Sequence, residues 1–205
     1  MLLIQSALAG DELAEVAARL KTLTRKSGDP YHNDSRARAV MGWVKTILAR
    51  HPLVAAYAQP LRWSALLLAR HTPDDAYGLP LPDAMMKGDD GLPLRSDLSF
   101  TLFLNAKAAY DGGSVSLESH DGTRDVRMEA GDMVIHRTGQ LHQISEVTRG
   151  ERIACVGWIQ SLTAREDERD ILFDLSQLLR TARDLDQQIR LQKTINDLTR
   201  MWAKI

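Results

Sequence analysis

The sequence predicts a mainly β domain with flanking helices, a sandwich or barrel of the double-stranded β-helix or jelly-roll kind. From Leu61 to about Ser161 the chain is a succession of short apolar runs, LRWSALLLARH, LSFTLFLN, GSVSLES, VRME, DMVIH and RIACVGWIQ. They are separated by DGG, HDG, AGD and TRG, and roughly ten residues per strand suits sheets built from hairpins. The ends of the chain have a different texture, helical in spacing on both sides.

The N-terminal elements come first. Leu13, Val16, Ala17, Leu20 and Leu23 recur at helical spacing between Asp11 and about Lys26, and Ala39 to Ala49 repeats the pattern after the polar stretch SGDPYHNDSR. In the middle region, Gly112 and Gly113 of DGG read as a hairpin turn supplying positive φ, and Gly131-Asp132 opens a strand. Asp74 and Asp75 cap the turn HTPDDAYG, and Trp158 is expected in the core. From Ala164 onward there is neither Gly nor Pro. Two seams follow, Leu175, Leu178, Ala182, Leu185, Ile189 and then Leu191, Ile195, Leu198, Trp202, Ile205. A helical pair covers the barrel, or forms a homodimer or heteromeric interface. The domain organisation is thus 1–162 for the β domain with its leading helices and 163–205 for the helical segment.

Composition excludes several classes. With 205 residues, 44% hydrophobic and 26% charged, the chain can bury a core. A formal charge of −1 gives no reason to expect a nucleic-acid or anionic-membrane surface. The opening MLLIQSALAG lacks the basic flank of a signal peptide and no later run approaches a membrane span, so a cytoplasmic location is expected. The lone Cys155, inside IACVGWI, reads as a buried thiol. There is no phosphate loop, Cys-x-x-Cys pair or Ser-centred nucleophile elbow, and a triad drawn from Ser99, His142 and Asp97 has no local support.

Two side chains carry the chemistry. His142 lies ten residues before Arg152, which opens a strand. In a double-stranded β-helix both can face one cavity, where an imidazole holds a metal and a guanidinium forks onto a carboxylate. By strand parity Arg152, Ala154 and Val156 share a face.

The segments HPLVAAYAQPLR, RSDLSFTLFLN, YDGGSVSLES, AGDMVIH, LHQISEVTRGERIACVGWIQS and ILFDL, in this order, resemble the PKHD-type hydroxylases. These are Fe(II)- and 2-oxoglutarate-dependent dioxygenases of the prolyl-4-hydroxylase-like group. The resemblance implies a double-stranded β-helix, with an iron-binding His at His142 and a 2-oxoglutarate-binding Arg at Arg152. The family's other two iron ligands form His-x-Asp within a stretch of the type YGxHxDNA. That stretch falls on Tyr77 to Ala84, where both ligand positions are proline, Pro80 and Pro82. Proline has no lone pair for a metal, and a facial triad needs three protein ligands.

Three further candidates remain for a rebuilt site. His71, at a position where the family commonly has an aromatic residue, and His136, at the end of a strand, could join His142 in a three-histidine site. Asp83 is displaced by one residue from the missing Asp, and in an extended chain that slip points it the wrong way. The expectation is therefore a divergent dioxygenase-family member with an altered metal site that oxidises a small molecule by non-standard ligation. The alternative is a catalytically inactive relative acting as a binding, regulatory or partner subunit, with a small carboxylate as the expected ligand.

Overall fold

The computed structural model describes residues 1–23, 31–32, 34–75 and 82–204. In chain order it contains β1 (Leu2–Ile4), α1 (Gly10–Leu20), β2 (Tyr31–His32), α2 (Ser35–Arg50), α3 (Pro52–Ala58), β3 (Pro60–Trp63) and β4 (Leu67–His71). There follow β5 (Met85–Lys87), β6 (Pro93–Arg95), β7 (Leu98–Phe103), β8 (Tyr110–Gly112), β9 (Val115–Ser119) and β10 (Gly122–Val126). The chain closes with β11 (Met133–Arg137), β12 (His142–Ile144), β13 (Val147–Gly150), β14 (Arg152–Ser161), α4 (Glu166–Thr181) and α5 (Leu185–Trp202).

A main antiparallel sheet runs β1-β11-β7-β14-β4-β2, with β3 on the far end of β14. Opposite its inner face lie β10-β9-β12 and β13-β8. This is the double-stranded β-helix. Long β14 is its spine, because ten residues give it room to pair with β7, β4 and β3. Strands β3 and β4 split one predicted run at Ser64, whose hydroxyl accepts from the Trp158 amide at 2.9 Å.

Side-chain alternation along the main sheet builds two cores. Leu68, Leu102, Ile135 and Cys155 point outward into a large apolar core that also holds Val16, Val40, Met41, Val44, Leu48, Val54 and Tyr57 of α1, α2 and α3. Burial pushes the Cys155 thiol far up, which makes it an inert apolar group. Phe103 and Val134 point the other way, onto Val115, Leu117 and Val126 of β9 and β10. Gly157 is required on the outer side, since a Cβ there would stand 2.9 Å from the Phe100 ring.

Local chemistry fixes the helices. Asp34 caps α2, its carboxylate accepting the Arg36 and Ala37 amides at 2.9 Å each. Pro52 opens α3 and Gln59 closes it at φ 43°. The helix α3 extends the predicted pair of N-terminal helices. In contrast, α4 buries only Arg169 and Leu172, and α5 has no buried residue. The two are docked by Phe173 against Tyr57, centroids 5.3 Å apart, and by the Lys204 amide donating to the Leu162 carbonyl. The first predicted seam crosses the break between α4 and α5, which leaves Leu178, Leu185 and Ile189 exposed. Leu191, Ile195, Leu198 and Trp202 of the second are half-buried.

Two local readings need correction. Gly112 (φ 72°) and Gly113 (φ 64°) do have positive φ, but they do not turn a hairpin. They join β8, paired with β13, to β9, paired with β12, and a Cβ on Gly112 would lie 1.9 Å from the Glu146 carbonyl oxygen. Close backbone approach demands glycine there. Trp158 is only half-buried and lines a cavity instead of packing in the core. Among the described residues no helix is long and apolar enough to cross a membrane.

Candidate functional site

A cavity of about 340 Å³ opens between the main sheet and β12, lined among others by His71, Asp83, His136, His142, Arg152 and Trp158. Strand register explains which side chains meet there. On β14, Arg152 pairs with His71 of β4, Ala154 with Ala69, and Val156 with Leu67. On the other edge of β14, Val156 pairs with Thr101 and Trp158 with Ser99, and Ser99 in turn pairs with His136 of β11. The inner face is therefore a ladder of rows, cationic at one end and imidazole- and indole-bearing at the other, with Ala154, Val156 and Leu67 between.

Arg152 is 0% exposed. Its Nε donates to the Gly113 carbonyl at 2.9 Å, and the guanidinium carbon stands 5.7 Å from the Phe103 ring centroid. Gly113 makes this possible, because a Cβ there would come 2.8 Å from the Arg152 Cδ. The adjacent Glu151 and Arg70 point to the other face and form a bidentate pair, 2.9 and 2.8 Å. Strand parity thus separates two cations one residue from each other across the sheet.

At the other end, the rings of His136 and His142 lie 4.5 Å apart at 66°. His136 Nδ1 is 2.9 Å from the Arg137 carbonyl, and His142 Nδ1 is 2.9 Å from the Gln140 carbonyl. His136 is 1% exposed, and burial, with the neighbouring His142, lowers its pKa from 6.5 to about 4. It is a neutral imidazole at pH 7.

The three-histidine arrangement is not formed. All three imidazoles face the cavity, but among the described residues no three of His, Cys, Asp and Glu are placed to hold one ion. Register gives the reason. His71 belongs to the Arg152 row and His136 to the Trp158 row, six residues along β14, which is roughly 20 Å at strand rise. His71 instead meets the edge of Tyr31, centroids 6.1 Å apart. Asp83 is a further correction, since it is exposed yet contributes to the cavity lining. The strand β5 starts only at Met85, so parity does not govern Asp83. Its carbonyl accepts the Ser96 hydroxyl at 2.6 Å. Pro82 lines the same mouth, whereas Tyr77, Gly78 and Pro80 lie outside the described residues.

Among the described residues, Ser99, His142 and Asp97 form no relay. Ser99 Oγ is bonded to Thr138 Oγ1 at 2.9 Å, and Asp97 is taken by Arg95 and by the Ser161 amide. Asp75 does cap its turn, accepting the Thr72 amide at 2.6 Å. The lining residues that sequence reasoning missed include Tyr31, Thr101 and Trp158, and Ser99 lines the cavity without the triad role weighed for it. The alternation of LSFTLF, with polar residues at the second and fourth positions of a wholly buried strand, was the available signal.

The donor set fits one of the two groups implied by the resemblance. A buried guanidinium whose Nε is pinned suits a carboxylate, the chemistry of 2-oxoglutarate. The described residues do not supply the three convergent ligands that Fe(II) requires.

Residues 73–160 match the family model of the 2OG-Fe(II) oxygenase superfamily. A PKHD-type hydroxylase of Hyphomonas neptunium is 37% identical, with 100% of both chains covered. One from Maricaulis maris is 38% identical over 87% of this chain and 81% of its own. Among solved structures, a 2OG-Fe(II) oxygenase family oxidoreductase of Burkholderia pseudomallei has a TM-score of 0.58 at 14% identity, covering 78% of this chain and 83% of the other. HygX of Streptomyces hygroscopicus, with nickel and 2-oxoglutarate bound, has a TM-score of 0.57 at 14% identity, covering 80% and 83%. These structures share the fold, and the full-length sequence relatives settle the lineage: the chain belongs to the PKHD-type hydroxylase family of Fe(II)- and 2-oxoglutarate-dependent oxygenases.

Proposed function

We propose that this family member binds a short dicarboxylic acid such as 2-oxoglutarate through Arg152 and does not hold Fe(II) in the three-ligand geometry of its relatives. The observation that carries the reading is Arg152 itself, fully buried on the cavity wall with Nε fixed on Gly113. The planar fork of a guanidinium matches the two oxygens of a carboxylate. The replacement of the His-x-Asp pair by Pro80 and Pro82, as implied by the resemblance, supports the metal half of the proposal. So does the lack of a three-ligand group among the described residues. HygX, which shares the fold, holds 2-oxoglutarate in its solved structure.

Calorimetric titration with 2-oxoglutarate, with and without anaerobic Fe(II), tests both halves. The expected result is weak binding without metal, abolished in Arg152→Ala and not restored by Arg152→Lys, whose ammonium cannot make the fork. Absence of heat for any dicarboxylate would overturn the acid-binding half, and stoichiometric Fe(II) binding would overturn the metal half.

The proximity of His136 and His142 favours a second reading, oxidation of a small molecule by non-standard ligation. Metal-dependent release of succinate from 2-oxoglutarate would select it over a binding or regulatory role.

A further inference from the structure

Two imidazoles stand together here, and their backbone bonds decide which nitrogen carries the proton. A carbonyl oxygen only accepts, so the 2.9 Å contacts from His136 Nδ1 to the Arg137 carbonyl and from His142 Nδ1 to the Gln140 carbonyl require N–H at both Nδ1 atoms. In the neutral ring the lone pair then sits on Nε2. This is the arrangement in which a backbone carbonyl orients a metal-binding histidine. Both rings line the same cavity, and neither is a surface residue.

Their spacing is also informative. A metal–nitrogen bond of about 2.0–2.1 Å, with about 1.2 Å from the nitrogen to the ring centre, puts each centroid about 3.2 Å from the ion. Two such ligands at about 90° to each other hold their centroids about 4.5 Å apart, whereas tetrahedral ligands would be separated by about 5.2 Å. The observed separation is 4.5 Å.

We infer that His136 and His142 form a two-imidazole site for Cu²⁺, occupying neighbouring corners of a tetragonal coordination plane. Right-angled ligation by nitrogen suits Cu²⁺, and two neutral nitrogens bind it more tightly than Zn²⁺ or Fe²⁺ by the general order of first-row affinities. This site differs from the iron position of the family in using His136. It stands apart from the carboxylate reading, since Arg152 belongs to another row of the sheet.

The test is titration of the metal-free protein with Cu²⁺, Zn²⁺ and Fe²⁺, with the bound Cu²⁺ followed by electron paramagnetic resonance. One equivalent of Cu²⁺ is expected, with hyperfine structure from two imidazole nitrogens in the wild-type protein. His136→Gln and His142→Gln should each weaken binding by about tenfold or more, and His71→Gln should leave it unchanged. The proposal fails if the double variant His136→Gln/His142→Gln, folded by circular dichroism, binds Cu²⁺ as tightly as wild type. It also fails if the wild-type spectrum lacks two-nitrogen coupling, a measurement that does not depend on any variant folding.

Discussion

The main sheet has two faces made from the same strands, and they solve different problems. The outer face presents Leu68, Leu102, Ile135 and Cys155 to the N-terminal helices and is filled by apolar volume. The inner face presents Arg152, His71, Ser99, Thr101 and His136 to a cavity. Residues one apart in sequence therefore experience unrelated selection by physics: packing density outside, polar geometry inside. The comparison teaches that stability and chemistry can be attacked separately by choosing the face.

The largest effect should come from the outer face. Phe100 is 2% exposed and meets Trp63 edge-on, centroids 5.8 Å apart. Phe100→Ala is expected to cost about 3–5 kcal/mol by chemical denaturation, from lost transfer energy and the cavity left behind. A loss below about 1 kcal/mol would show that the outer core tolerates voids and would erase the contrast between the faces.

On the inner face, His136 ties stability to pH. Its folded pKa of about 4 lies below the ordinary 6.5, so the unfolded chain takes up the proton first. The stabilisation is complete above about pH 6.5 and is lost as the pH falls towards about 4, with a total on the order of 3 kcal/mol. Denaturation of metal-free protein across that window should show the slope, and His136→Gln should flatten it. A wild-type profile that stays flat from pH 7 to 4 would contradict the buried neutral imidazole.

Gly113→Ala probes the seam between the Arg152 row and the facing sheet. The position has φ 64° and its new methyl would lie 2.8 Å from the Arg152 Cδ and 3.0 Å from the Val147 Cγ2. A destabilisation of about 1–3 kcal/mol is expected, together with weaker 2-oxoglutarate binding as Arg152 is displaced. Retained affinity at reduced stability would show that the guanidinium is positioned by its other contacts.

The two faces also differ in how readable they were. The strands LSFTLFLN and RIACVGWIQ declare themselves by the apolar residues of their outer face, and β7 and β14 lie where those runs predict. Arg152 and Val156 share the inner face that parity assigned to them. Register was not legible, since nothing local states that His71 pairs with Arg152 while His136 pairs with Ser99. That pairing is long-range, and it alone separates His71 from the other two histidines. Short β12, β13 and β8 were hidden for a related reason, being polar-rich segments whose partners are distant in sequence.

The smallest effects belong to the C-terminal helices, which carry the comparison beyond the sheet. Leu198 of α5 is half-buried, whereas Ile189 of the same helix is 59% exposed. If the pair closes on the rest of its own chain, Leu198→Glu costs about 1 kcal/mol through a charge placed at a partly apolar contact. Ile189→Glu then stays within about 0.5 kcal/mol of wild type, as exposed substitutions do. Both variants should keep the wild-type mass by light scattering. A second copy seated on Leu178, Leu185 and Ile189 would reverse that order, because the exposed residues would become the buried ones. Ile189→Glu would then halve the measured mass and cost more than Leu198→Glu, so the ranking of two substitutions decides whether this face is solvent or interface.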